Sequence, residues 1–160
     1  AFATYFKADT SFIIDETLSQ QELYKKLLSI IQPNQTYAIN ITGVFDSLKL
    51  RSVPKQQPPF ILLSDAVKYQ TIFNIPTIKG TMIGFLTPNF AAALNVVGFH
   101  FHFLNDEATK GGHVLNSTIK KATIQIARMT AIELQLPNSK AFNQLNLSGV
   151  DKEQLYKAEH

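Results

Sequence analysis

Three of the four histidines in this chain fall inside GFHFHFLNDEATKGGHV, residues 98–114. His100 and His102 flank one phenylalanine, and His113 follows behind Gly111 and Gly112. On a strand, residues two apart leave the same face about 6.5–7 Å from one another. His100 and His102 therefore project together, while Phe99, Phe101 and Phe103 pack the other way. Turn-forming residues from Asn105 to Lys110 let the chain reverse, so that a β-hairpin returns His113 to the side of the pair. Three imidazoles at roughly 2.0–2.1 Å suit zinc and leave a fourth coordination position open, the arrangement of a catalytic rather than a structural site. The sequence contains no cysteine, so a transition-metal site must be built from histidine and carboxylate. The same three ligands also accept iron, nickel, copper or cobalt.

Two other readings of these residues stand beside the zinc site. They can be ordinary hairpin histidines that hold no ion. Alternatively, His-x-His followed by Glu107 is similar to the first half of a cupin metal motif, which would make the chain a cupin-like metalloenzyme. A cupin takes its next histidine from a separate motif several strands later, whereas His113 belongs to the same hairpin, and Glu107 reads as a solvated loop charge. His160, the last residue, is expected to fray.

The elements that must carry these side chains are mostly strands. Residues 1–14 cluster β-formers and predict one or two strands. Ser19 to Glu22 is a capping box ahead of Leu23, Leu27, Leu28 and Ile31 at helical spacing, with Pro33 beyond the stop, which predicts a helix over 20–32. Period-two alternation through Tyr37, Ile39 and Ile41 predicts a strand, with Gly43 marking a bulge or bend. A further strand runs from Leu48 to Val53, and Ser64 is placed to cap a short helix reaching Gln70. Strands are then expected over 71–75, 77–87, 97–104, 113–120, 121–128 and 130–136. Pro137 to Ser139 opens a helical turn, and Asp151 to Ala158 a short polar helix. The resulting class is α+β: a mixed, mostly antiparallel sheet partly closed into a barrel, with two or three short helices and the metal site on a hairpin.

Composition narrows the function classes. A chain of 160 residues is long enough for one unit, 1–160, with a real core. A net charge of +3, with scattered Lys and Arg and no basic stripe alternating with aromatics, argues against nucleic acid as a partner. No window approaches the roughly 18 apolar residues of a membrane span, and no basic-then-apolar leader opens the chain. The expected compartment is the cytoplasm. The chain starts at Ala1 as if a strand were entered midway, which suggests that residues precede it.

The run GTMIGFLTPNFAAALNVVGFHFHFLNDEATKGGHVLN, residues 80–116, resembles the signature region of the alpha-acetolactate decarboxylases. The likeness continues upstream through YAINITGVFDSLKLRSVPKQ and downstream through LQLPNSKAFNQLNLS to YKAEH, so it covers essentially the whole chain. It implies zinc-dependent decarboxylation of 2-hydroxy-2-methyl-3-oxobutanoate, a small 2-hydroxy-3-oxo acid, to acetoin and carbon dioxide, with no organic cofactor and a possible homodimer. Carried over residue by residue, His100, His102 and His113 match the zinc ligands. Arg51 in LRSVPKQ matches an active-site arginine, and Glu159 in YKAEH a glutamate on a tail that returns to the metal. By type and spacing alone, Arg51 reads as a strand arginine with an exposed fork and Glu159 as a tail charge. Asn116 stands where the family has Asp, and the arginine common in the loop before Gly111 is missing. A second active-site glutamate belongs to an N-terminal part that this chain does not include. A third reading follows from that difference: a non-catalytic subunit that keeps the fold and the metal.

Overall fold

The computed structural model describes residues 2–58 and 60–146. The expected helix at 151–158 and Glu159 lie outside the described residues.

The first element is a short strand, β1 (Thr10–Ile14), and residues 2–8 ahead of it are not in a strand. After the two-residue β2 (Leu18–Ser19) comes α1 (Gln20–Leu28). Its start follows the capping box: the Ser19 hydroxyl accepts from the Glu22 backbone N–H at 3.4 Å, and the Ser19 N–H donates to Glu22 Oε2 at 2.8 Å. The helix stops four residues earlier than periodicity predicts. The Ser29 hydroxyl donates back to the Lys26 carbonyl at 2.7 Å, and the Ile30 N–H turns to Leu27 in a tighter, 3-10-like bond. Serine competes with helix continuation by exactly such local bonds.

Two pairs of predicted strands are in fact two long single strands. The first pair forms β3 (Thr36–Ser52), which ends one residue short of Val53, and the second forms β7 (Gly111–Met129). They pair antiparallel along nearly their whole length, with register shifts after Val44, Phe45 and Lys49. A bulge interrupts side-chain alternation while the strand continues, so a break in pattern reads as a break in the strand. Gly43 itself pairs regularly with Ala122, and the first irregularity comes one residue later. What Gly43 needs is room: a Cβ there would lie 2.1 Å from the Lys121 carbonyl oxygen.

Between these strands lie α2 (Leu63–Ala66), a 3-10 turn at Val67–Tyr69, β4 (Thr71–Ile75), β5 (Ile78–Thr87) and β6 (Gly98–Asn105). Ser64 is not the cap of α2; Leu62 occupies that position and makes no side-chain cap bond. Residues 130–136, expected as a strand, lie outside the sheet with Ile132, Leu134 and Leu136 exposed. The final described helix is α3 (Lys140–Asn143), capped by Ser139 as the helical turn predicted.

All pairings among the described strands are antiparallel, and β3–β5–β6–β7 close on one another as a partial ring. The ring is completed by three residue pairs between β6 and β7, beside the turn that joins them. β4 extends β3, while β1 and β2 extend β7. Inside the ring lie Ile39, Ile41, Phe45, Leu50, Met82, Phe101, Ile119 and Ile124, all fully buried, joined by Leu23 and Leu27 of α1. Tyr24 of α1 stacks on Phe99 with ring centroids 4.2 Å apart, and burial pushes its hydroxyl pKa up to about 12. The inner face of β6 is thus filled with aromatic rings, which turns the alternate residues outward. No helix among the described residues is long and apolar enough to cross a membrane.

Candidate metal centre

The three histidines meet at the β6–β7 seam. His102 and His113 are direct cross-strand partners, and His100 lies two residues along β6 on the same face. Phe101 and Phe103 are 1% and 3% exposed on the opposite face, as the alternation requires. The ring centroids are 5.3 Å apart for His100–His102, 4.9 Å for His100–His113 and 5.2 Å for His102–His113. One nitrogen of each ring lies within 4.8 Å of the others, and His100 Nε2 approaches His113 Nδ1 to 3.1 Å.

These distances suit a small cation. Bonds of roughly 2.05 Å in a tetrahedral zinc site separate the donor atoms by roughly 3.3 Å, close to the His100–His113 spacing. Two ring nitrogens this close either share a proton or direct both lone pairs at one ion. His102 is exposed and His113 buried, so the cluster is anchored on one side and open on the other.

The local sequence explains the convergence. The Asn105 carboxamide oxygen accepts from the backbone N–H groups of Thr109 and Lys110 at 2.9 and 2.7 Å. Its nitrogen donates to Glu107 Oε2 at 2.6 Å and to Thr109 Oγ1 at 3.1 Å. This side chain, 5% exposed, organises the reversal that returns His113 to His102. Glu107 is held in the turn and is not in the metal-ligand group, so the cupin-like reading loses its carboxylate. The glycine pair makes room for neighbouring strands. A Cβ on Gly111 would lie 2.6 Å from the Phe103 carbonyl oxygen, and one on Gly112 2.6 Å from that of Arg51.

Arg51 pairs with His113, which in turn pairs with His102, so one row crosses β3, β7 and β6 on a common face. Opposed residues place their Cβ atoms about 4.5–5.5 Å apart, within contact of a long side chain. The expectation of an exposed fork is wrong: Arg51 is 7% exposed, with Ile72 of β4 as its cross-strand partner on one side and His113 on the other. Arg51 Nη1 donates to Gln70 Oε1 at 3.5 Å. Sequence reasoning gave Gln70 no functional role, marking it only as the last residue of a predicted short helix ahead of a strand. Asn116 is exposed, its side chain accepting from the Ser117 N–H at 2.9 Å.

A cleft of about 720 Å³ opens on the outer face beside His100 and His102. Its apolar walls include Phe2, Phe6, Phe85, Ile83 and Val96. Phe2 packs edge-on against Phe85 at 4.6 Å. Apolar shielding beside the histidines therefore comes from these other elements, since the phenylalanines of β6 face the core. Arg51 and His113 do not line this cleft; they lie across the cluster from it.

A profile described as alpha-acetolactate decarboxylase matches residues 1–149. The alpha-acetolactate decarboxylase of Brevibacillus brevis is 39% identical over 163 aligned residues, which cover 98% of this chain and 57% of that protein. The Bacillus subtilis enzyme is 35% identical, covering 92% of this chain and 58% of its own length. The chain therefore spans little more than half of these curated relatives. The crystal structure of alpha-acetolactate decarboxylase from Bacillus subtilis strain 168 superposes with a TM-score of 0.92 at 34% identity, covering 98% of this chain and 68% of that one. On fold, residues matched and identity, the chain belongs to the alpha-acetolactate decarboxylase family.

Proposed function

We propose that this chain converts 2-hydroxy-2-methyl-3-oxobutanoate to acetoin and carbon dioxide at the three-histidine centre, with zinc as the ion held by His100, His102 and His113. The observation that carries this reading is the convergence of the three imidazoles with Arg51 in the same cross-strand row. Family membership supports the substrate.

The reaction breaks the bond between C2 and the carboxylate carbon. The electron pair moves towards the neighbouring ketone oxygen, and C2 then takes one proton to give acetoin. When bound, the zinc ion supplies Lewis-acid polarisation of the substrate hydroxyl and ketone oxygens. Arg51, permanently charged and planar, orients the departing carboxylate with paired N–H donors. Its burial raises the strength of that contact, because a cation shielded from water interacts through a lower dielectric. Phe2, Phe6 and Phe85 limit water on the other side of the cluster. Glu159, matched by the family resemblance to a tail glutamate that returns to the metal, either ligates the ion or gives the proton to C2; delivery from one face yields a single acetoin enantiomer.

The test is chiral analysis of acetoin formed from racemic substrate by the zinc-loaded chain. One enantiomer in clear excess over the buffer blank is expected. A chain that binds zinc yet forms no acetoin would instead be a non-catalytic metal-binding subunit.

A further inference from the structure

Arg51 is approached from a segment no motif had marked. The chain leaves the 3-10 turn at Val67–Tyr69 through Gln70, whose backbone N–H bonds to the Val67 carbonyl at 3.1 Å. The next residues enter β4, where Thr71 pairs with Ser52 and Ile72 with Arg51. Gln70 is therefore held on both sides, by the turn behind it and by the strand register ahead. Its partly buried side chain presents Oε1 to Arg51 Nη1.

The chemistry of this contact is selective. A guanidinium has five N–H donors in one plane, and a carboxylate is gripped best when two of them are parallel and correctly aimed. A carboxamide oxygen 3.5 Å from Nη1 accepts from one of the five and biases the orientation of the plane. It does so without the negative charge that a glutamate would bring against the same cation. We propose that Gln70 is a positioning residue that helps to aim the Arg51 fork and, being neutral, adds no negative charge of its own where an anionic substrate is to bind. This inference rests on the role assigned to Arg51 in the proposed function.

The experiment uses the zinc-loaded chain and two unreactive probes followed by calorimetry. One is 2,3-dihydroxy-2-methylbutanoate, which keeps the carboxylate but has no ketone to accept electrons. The other is 3-hydroxy-3-methylbutan-2-one, in which a methyl group replaces the carboxylate. Gln70→Glu should weaken the anionic probe by about tenfold or more, and Gln70→Met, similar in length but lacking the acceptor, by a few-fold, in keeping with loss of one hydrogen bond to a charged group. Both variants should bind the uncharged probe and zinc as the parent does. Equal weakening of both probes, or loss of zinc with either variant, would make Gln70 a general structural residue and overturn the proposal. Parent-like binding of the anion by both variants would also overturn it. If the parent forms no acetoin but binds the anion in a Gln70-dependent way, the decarboxylase reading fails while the positioning role stands. If the parent forms acetoin and neither substitution changes anion binding, only the positioning role fails.

Discussion

The chemistry assigned to this chain depends on a few side chains whose roles separate cleanly. Arg51→Lys keeps the charge and loses the planar fork. It should lower kcat/KM roughly ten- to hundredfold, in line with losing about 1.5–3 kcal/mol of charge-assisted hydrogen bonding, while zinc content measured by elemental emission stays unchanged. Gly112 is a different case. An alanine Cβ would press against the Arg51 carbonyl oxygen at 2.6 Å, a contact with backbone that cannot rotate away. Gly112→Ala should cost about 1–3 kcal/mol, as overpacking does, read as a lower urea midpoint, with turnover reduced as β7 separates from Arg51. The histidines were legible from sequence because type and period-two spacing are local facts. The burial of Arg51 was not legible, because its neighbours, Ile72 of β4 and His113 of β7 among them, come from segments twenty or more residues away.

At the level of elements, the helix start was readable to the residue and the helix end was not. The Ser19–Glu22 box is a four-residue signal, whereas termination depends on Ser29 folding back onto Lys26. The box also sets a pH dependence. Donation by the Ser19 hydroxyl, and then by its backbone N–H, holds the Glu22 carboxyl below the usual carboxylate value. A lowered folded-state pKa stabilises the fold above the ordinary value, and that contribution is lost as pH falls through the folded one. Ser19→Ala should therefore lower Tm by about 2–4 °C at neutral pH, the effect of losing a helix cap of about 1 kcal/mol, and by less at pH 3. An equal shift at both values would remove Glu22 from the account. Strand boundaries inside β3 and β7 were misplaced for a related reason: bulges break alternation without breaking the ladder, and only the partner strand shows that the chain continues.

For the molecule as a whole, the sequence pointed correctly to a largely antiparallel sheet closing on itself, because apolar alternation recurs from strand to strand. It could not show that closure between β6 and β7 rests on three residue pairs, since pairing length is decided by the neighbours of each edge. The histidines sit at that seam, so a bound ion links β6 to β7 as well as serving chemistry. Zinc at about a thousand times its Kd should add roughly 4 kcal/mol to stability by mass action, visible as a rise in Tm that chelation reverses. Hydrogen exchange at residues 100–104 and 111–113 should slow with zinc more than exchange in the β3–β7 ladder. The most direct test of the central claim is a titration of the metal-free chain with zinc, following acetoin formation from 2-hydroxy-2-methyl-3-oxobutanoate. The rate should rise and saturate at one zinc per chain, and His113→Ala should abolish the rise. Acetoin formation that is independent of zinc, or unchanged in His113→Ala, would contradict it.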